Sequence, residues 1–404
     1  MDGVRSNHQP GRPRARFDDF VAGRAELFPQ VERELVACRL DEVAAVLEEV
    51  DRLTTQGWWA FGFIAYEAAG GLDPLLAVGE PVDGLPFAWF GLTRQPQDVP
   101  VVVGGDQRDY SVGPWSHEWD AKRHRRAVQA VRAHIVAGET YQCNLTTRLA
   151  GPARGDLTQL YRDLALGQRG AHNAYLDTGR FVVASASPEL FFETRGGRIL
   201  MRPMKGTAAR GRTVAEDEQA IARLLGSAKE RAENVMIVDL VRNDLARIAV
   251  AGSVAVPRLL HPERYETVHQ LTSDVTADLR PEVGLTEVFR ALFPCGSVTG
   301  APKIRTMELI RDVEDSPRGI YCGAVGVVAP PGSPFRARFS VAIRTLVVDR
   351  ERDTATYGTG GGITWDSDPA AEYAELLAKT RVLDTTRGRP GIGRRTQIAP
   401  VSGF

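Results

Sequence analysis

The sequence predicts an α+β fold: a layered β-sheet core flanked by helices. Three observations lead to it. Apolar or alternating runs at 181–186, 190–194, 199–204, 271–275, 323–329, 338–348 and 355–361 read as strands in hairpin-like order. Helical periodicity at 216–225, 229–245, 285–292, 302–312 and 370–382 is inserted between them, which suits a layered sheet better than a strictly alternating parallel one. The chain of 404 residues exceeds the usual domain length, yet large sheet-rich cores reach that size as one unit.

Taken in order, residues 1–16 combine two prolines and two glycines with four arginines and are expected to be mobile. Leu40, Val43, Val46, Leu47 and Val50 recur at helical spacing over 40–53, with Asp41 as the expected N-cap, and Trp58 to Tyr66 reads as a buried strand. Residues 17–112 are thus an N-terminal α/β region packed on the core. A loop at 91–105 and a turn at Gly113-Pro114-Trp115-Ser116 lead into a helix over 119–137, which opens the larger second region, 113–385. Gly138 can end that helix, and a strand begins at Tyr141. Residues 386–404 form an aperiodic tail, expected to be disordered.

Composition narrows the function. With 43% hydrophobic and 25% charged residues and a net charge of −1, nothing draws the chain to nucleic acid or an anionic membrane. No apolar run approaches the roughly 18 residues that cross a bilayer, and the first residues lack a signal-peptide core, so a cytoplasmic protein is expected. The four cysteines show no C-x-x-C spacing and read as buried free thiols.

Several residues could carry chemistry. Glu233 lies early in one helix, while Glu372 and Glu375 share a face of another; they are either solvated carboxylates or oxygen ligands for a hard cation such as Mg2+. Arg344 interrupts an apolar strand, so its charge is paired or points into a site. Lys379 stands one turn after Glu375, the spacing of a surface ion pair. Glycine clusters at 296–300 and 358–362 let backbone N–H groups approach an anion; G-x-x-x-x-G-K-[ST] is absent, which argues against a nucleotide. Glu189 precedes Leu190-Phe191-Phe192, where desolvation would raise its pKa as a general acid requires. His269 reads equally as a site residue or a bonded core histidine. Lys205 sits in a Gly206-Thr207 turn, where burial would convert it into a usable amine nucleophile.

Ordered blocks run through the chain: Ser187-Pro188-Glu189-Leu190-Phe191, Arg202 to Gly211, Glu233 to Asp244, Thr267-Val268-His269-Gln270-Leu271, Gly296 to Lys303, and Asp366 to Lys379. With these blocks the chain resembles the chorismate-utilising enzymes, strongly over about 113–385. The resemblance implies the fold of anthranilate synthase component I. It implies that Mg2+ is held by Glu233 and Glu375 with Glu372 close by, that Tyr321 and Arg344 bind a carboxylate of chorismate, that Lys379 supports the metal end, and that Glu189 protonates the departing 4-hydroxyl with His269 near the ring. Gly206, Thr207, Thr299, Gly300, Gly360 and Gly361 are candidate substrate contacts.

Lys205 resembles the aminodeoxychorismate synthase branch, since other branches place a small residue there. Gln142 stands where water-adding members carry a lysine base, and an amide cannot take a proton. The expected reaction is therefore chorismate plus ammonia to 4-amino-4-deoxychorismate. Its ammonia is expected from a separate glutamine amidotransferase subunit, component II, because the chain has no glutaminase signature. Anthranilate synthesis and a non-catalytic chorismate-binding paralogue are the alternatives. Departures are also present: no tryptophan-binding element appears near the N-terminus, and Val327 stands where the family usually has tyrosine.

Overall fold

The strands pair antiparallel into two sheets of eleven and ten strands in a computed structural model that describes residues 14–264 and 268–386. In the first sheet Gln142–Gly155 lies beside Thr354–Ile363, followed by Thr345–Asp349, Phe181–Ser187 and His172–Asp177. In the second, Met204–Ala209 forms one end and pairs with Val268–Asp278, followed by Arg198–Met201, Leu190–Arg195, Ala337–Val341 and Ala324–Val328. Phe28 and Val183 of the first sheet meet Phe61, Phe63, Trp89 and Val325 of the second in one apolar cluster, which is why the sheets stack. Helices Val43–Thr55, Ala228–Ala246 and Leu285–Leu292 cover the outer face of the second sheet, and Leu157–Gln168 covers that of the first.

Most expected elements lie where periodicity puts them, and 285–292 matches its helix residue for residue. Four differences have physical causes. The run 338–348, expected as one strand, is two: Ala337–Val341 belongs to the second sheet and Thr345–Asp349 to the first. The chain changes sheets at Arg344, whose φ of +51° turns the backbone. The run 199–204 likewise divides into Arg198–Met201 and Met204–Ala209 around Pro203, which has no N–H for a ladder. Asp41 is not the cap of the first helix; it lies in a 3-10 turn and pairs with Arg39, while Glu42 accepts the Cys38 and Arg39 amides. The loop at 91–105 is shorter than expected, because Ala88–Thr93 is a buried strand.

Residues 17–112 supply strands to both sheets, among them Arg24–Phe28 to the first and Trp59–Ile64 to the second. Ala15 and Arg16, expected to be mobile, stand in a strand, and Thr386 is buried; residues 1–13 and 387–404 lie outside the described residues. Among the described residues no helix is long and apolar enough to cross a membrane. Cys143, Cys295 and Cys322 are buried free thiols, and burial pushes each up to about 12, which keeps these three from being thiolates near neutrality; Cys38, expected to be buried too, is exposed because it stands just past the end of a strand.

Arg318 carries a heavy structural role. Its guanidinium, 2% exposed, meets Glu314 at 2.7 Å, lies 4.5 Å over the Tyr66 ring, and donates to Val298 O and Asn144 O. Arg318→Met should therefore strand a buried Glu314 carboxylate and destabilise the fold by about 3–5 kcal/mol, measurable by denaturant unfolding. A loss below about 1 kcal/mol would show that water replaces the guanidinium.

Candidate active site

The site grows from an interruption of sheet pairing. Thr354–Ile363 pairs with Gln142–Gly155 as far as Ile363↔Cys143, but its other neighbour, Thr345–Asp349, stops at Leu346↔Tyr357. Beyond Tyr357 the glycines 358, 360, 361 and 362 therefore present one backbone edge that no neighbouring strand takes among the described residues. Close neighbours leave no room for a side chain at 358, 360 and 362, whereas the contacts at Gly361 are ordinary ones. A Cβ on Gly362 would lie 2.4 Å from Gln142 Nε2 and 3.5 Å from Lys205 Nζ; one on Gly361 would lie 3.5 Å from Glu372 Oε2 and 3.7 Å from Lys379 Nζ. One on Gly358 would fall 2.1 Å from the Tyr321 ring. Gln142, Lys205 and Tyr321 thus gather over alternate glycines on one face, with Glu372 and Lys379 over the other.

Lys205 Nζ donates to Ser297 O at 3.3 Å. By surface the residue is only half-buried, yet its ammonium sits deep enough that burial lowers its pKa, against the opposing pull of Glu233 and Glu189. Glu189, 3% exposed, is pushed up to about 7 by burial, although Ser297, Lys205 and the Met204 backbone favour its charge. Four buried side-chain atoms here lack a hydrogen-bond partner among the described residues: Gln142 Nε2 and Oε1, Glu189 Oε1 and His269 Nδ1. Buried polar groups are nearly always bonded, so several orphans around one amine mark a place prepared for a polar ligand.

The acidic end is built by two helices. Ala228–Ala246 carries Glu230 and Glu233, and Pro369–Lys379, capped by Asp368, carries Glu372 and Glu375. Burial raises Glu230 and Glu233, with nearby carboxylates adding to the rise. Lys229 Nζ lies 3.8 Å from Glu233 and 3.9 Å from Glu372, and Ser367 donates to Glu372 at 2.7 Å. Burial works against the Glu375 charge too, but Lys379 at 2.8 Å outweighs it and holds this carboxyl below its usual value. Lys379 also donates to Gly360 O at 2.7 Å, so besides making the expected helix pair it ties the helix to the glycine strand. Among the described residues no group of three or more acidic, histidine or cysteine side chains is already drawn together as a metal cage. The donors are nevertheless hard oxygens whose mutual repulsion a cation would relieve, and lysine ammonium groups occupy that role here.

The other expected residues have contacts of their own. Arg344 is directed to Gln168 Oε1, at the end of the helix Leu157–Gln168, and its charge reaches Tyr357. Thr207 accepts from Gln270, and Gly206, at φ +83°, sits against Glu230. Thr299 bonds the Cys295 and Gly296 carbonyls, and Gly300 leaves no room for a side chain, since a Cβ would meet Gln142 O at 2.1 Å. His269 bonds Asp217. Sequence reasoning missed Ser297, Asp217, Glu230 and Lys229; Ser297 alone had a signal, its place inside the 296–300 glycine block.

Gly358→Ala tests this geometry: the Tyr321 ring must move, and KM for the substrate should rise by about tenfold with the fold retained. An unchanged KM would separate Tyr321 from substrate binding.

A family model described as chorismate binding enzyme matches residues 104–385. The chain belongs to that family. It is 42% identical over 363 residues to an aminodeoxychorismate synthase of Streptomyces griseus, covering 87% of this chain and 46% of the relative. Against aminodeoxychorismate synthase component 1 of Salmonella typhimurium it is 38% identical, covering 72% and 62%, and against anthranilate synthase component 1 of Aquifex aeolicus 38%, covering 67% and 53%. The chain thus spans about half the length of these curated relatives. Its fold is that of anthranilate synthase component I: the crystal structure from Streptococcus pneumoniae TIGR4 superposes with a TM-score of 0.74 at 24% identity, covering 96% of this chain and 95% of that one. The α+β expectation and the family resemblance both stand on these matches.

Proposed function

We propose that the chain converts chorismate and ammonia into 4-amino-4-deoxychorismate. The observation that carries this reading is Lys205, a depressed amine beside the raised carboxyl of Glu189 and the orphaned amide of Gln142. Burial biases the pair toward neutral amine and neutral acid, the states that a nucleophile and a proton donor need. The Lys205 amine attacks C2 of chorismate, both ring double bonds shift by one position toward C4, and the 4-hydroxyl leaves as water with the Glu189 proton, the proton shed by the newly bonded nitrogen returning to Glu189. Ammonia then adds at C4, both double bonds shift back, and the C2–nitrogen bond breaks, the proton shed by the ammonia nitrogen going to the departing lysine amine, which restores Lys205. Gln142 Oε1 can accept a hydrogen bond from the incoming ammonia, and it cannot act as a base toward water.

Tyr321 and Arg344, the latter by releasing Gln168, bind a carboxylate of the substrate beside the glycines at 358–362, and Lys379, which holds the Gly360 carbonyl, screens the acidic end. Glu233 and Glu375, with Glu372 beside them, would hold Mg2+, which supplies charge compensation for a substrate carboxylate. Relatives named component 1 support an assembly with a second component. We take that partner to be a glutamine amidotransferase supplying ammonia.

The test is mass spectrometry of products after incubation with chorismate, ammonium salt and graded Mg2+. Replacement of one hydroxyl by an amine, rising with Mg2+, is the expected result. Anthranilate, the second reading and one favoured by the anthranilate synthase relatives, would reveal itself by loss of pyruvate. Unchanged chorismate at every Mg2+ level would identify a binding protein.

A further inference from the structure

His269 is wholly buried, and its two ring nitrogens are in different situations. Nε2 lies 2.9 Å from Asp217 Oδ1, while Nδ1 has no partner among the described residues. Asp217 stands in the first turn of the helix Val214–Gly226, which Thr213 caps. Its carboxylate accepts from Arg210 Nε at 3.0 Å, from Arg210 Nη2 at 2.7 Å and from the Gly211 amide at 2.7 Å. Those donors, Arg210 first, hold Asp217 well below the usual carboxylate range. A carboxylate fixed as an anion can only accept, so the nitrogen facing it must carry the proton. Nε2 is therefore N–H, and in the neutral ring Nδ1 is an acceptor.

The register shows where this acceptor stands. Within Val268–Asp278, His269 and Leu271 are two residues apart and share a face, and Leu271 lies directly opposite Lys205. The imidazole and the lysine amine thus project from the same side of the same strand pair. Arg210 belongs to the segment that runs on from Lys205, so one carboxylate joins the lysine strand, the helix and the histidine.

We propose that Asp217 is a positioning residue, which holds His269 as the Nε2–H tautomer and presents Nδ1 as a buried acceptor for a hydroxyl of the ring substrate. Naming that hydroxyl rests on the function proposed above; the tautomer does not. Nitrogen-15 NMR of histidine-labelled full-length protein reads the tautomer directly, with His269→Gln assigning the signal. The wild type should show a protonated Nε2. In Asp217→Asn, whose amide can donate as well as accept, the preference should relax, and kcat should fall about 10–100-fold while KM for chorismate moves less than about threefold. Asp217→Ala should show the same split if it folds, and thermal unfolding separates that case from loss of the fold.

A proton on Nδ1 in the wild type overturns the proposal whatever reaction is catalysed. An Asn variant with an unchanged tautomer overturns it too, whether kcat holds or falls, because Asp217 would then act only through stability. If the tautomer behaves as expected but no aminated product forms, the function fails and the positioning stands.

Discussion

Lys205→Ala should lose product formation by about 10³-fold or more, with chorismate binding changed far less, because alanine removes the amine that splits one substitution into two steps. The residue's place makes this the largest expected effect. Lys205 Nζ is 3.5 Å from the position a Gly362 Cβ would take, bonds Ser297 O, and lies within electrostatic reach of Glu189 and Glu233. Lys205→Arg separates charge from nucleophilicity: arginine keeps a cation but stays protonated, so it should be as inactive as alanine. Withholding ammonia gives a second readout. Intact-protein mass spectrometry of the wild type should show an adduct equal to chorismate minus one water, absent from both variants. If Lys205→Arg retained most of the activity, the lysine would be a carboxylate partner and the covalent step would be abandoned.

Glu189→Gln should reduce kcat by about 10²–10⁴-fold, the usual contribution of a positioned acid. Its pH signature is specific. With the carboxyl pushed up to about 7, the proton-bearing form dominates below that value, so kcat/KM should fall as pH rises through about 7. The glutamine variant, already slow, should lose that limb.

Stability carries the same sign. A carboxyl whose folded pKa lies above its unfolded value of 4.5 binds more protons in the folded state. Its contribution is complete below pH 4.5 and is lost as pH rises to about 7. Glu67, buried against the Arg318 and Gly319 amides and also pushed up to about 7, follows the same rule, so the variant should keep part of the decline. Thermal unfolding of wild type and Glu189→Gln between pH 4.5 and 8 checks this. An identical pH dependence of both rate and unfolding would remove Glu189 from either role.

Local pattern carried much of the architecture, and particular residues show why. The helix at 285–292 is legible because its apolar periodicity and its Glu287 side chain, which bonds back to the Gly284 amide, act within a few residues. The run 338–348 was not legible as two strands, because both halves are apolar and nothing local states that they belong to different sheets. The strands before residue 40 are short and are stabilised by the sheets they complete, whereas the helix Leu157–Gln168 was passed over although Leu157, Leu160, Tyr161, Leu164 and Ala165 recur at helical spacing. In the site, the identities of Lys205, Glu189 and Gln142 were readable as chemistry, whereas Asp217 resembled any acid in the first turn of a helix.

Family, the types of reactive group and the glycine clusters beside them were readable along the chain, since these are properties of residues and of short motifs. Tertiary structure alone decided which groups meet and in what protonation state. Glu189 is raised because its carboxyl is buried among Ser297, Lys205 and Met204, which come from other strands and loops, Lys205 is depressed because Met204–Ala209 is laid against Val268–Asp278 and the helix Ala228–Ala246, and His269 is oriented by an aspartate 52 residues away. Desolvation and long-range pairing depend on distances that chain order does not encode, so they become visible only when both sheets are assembled.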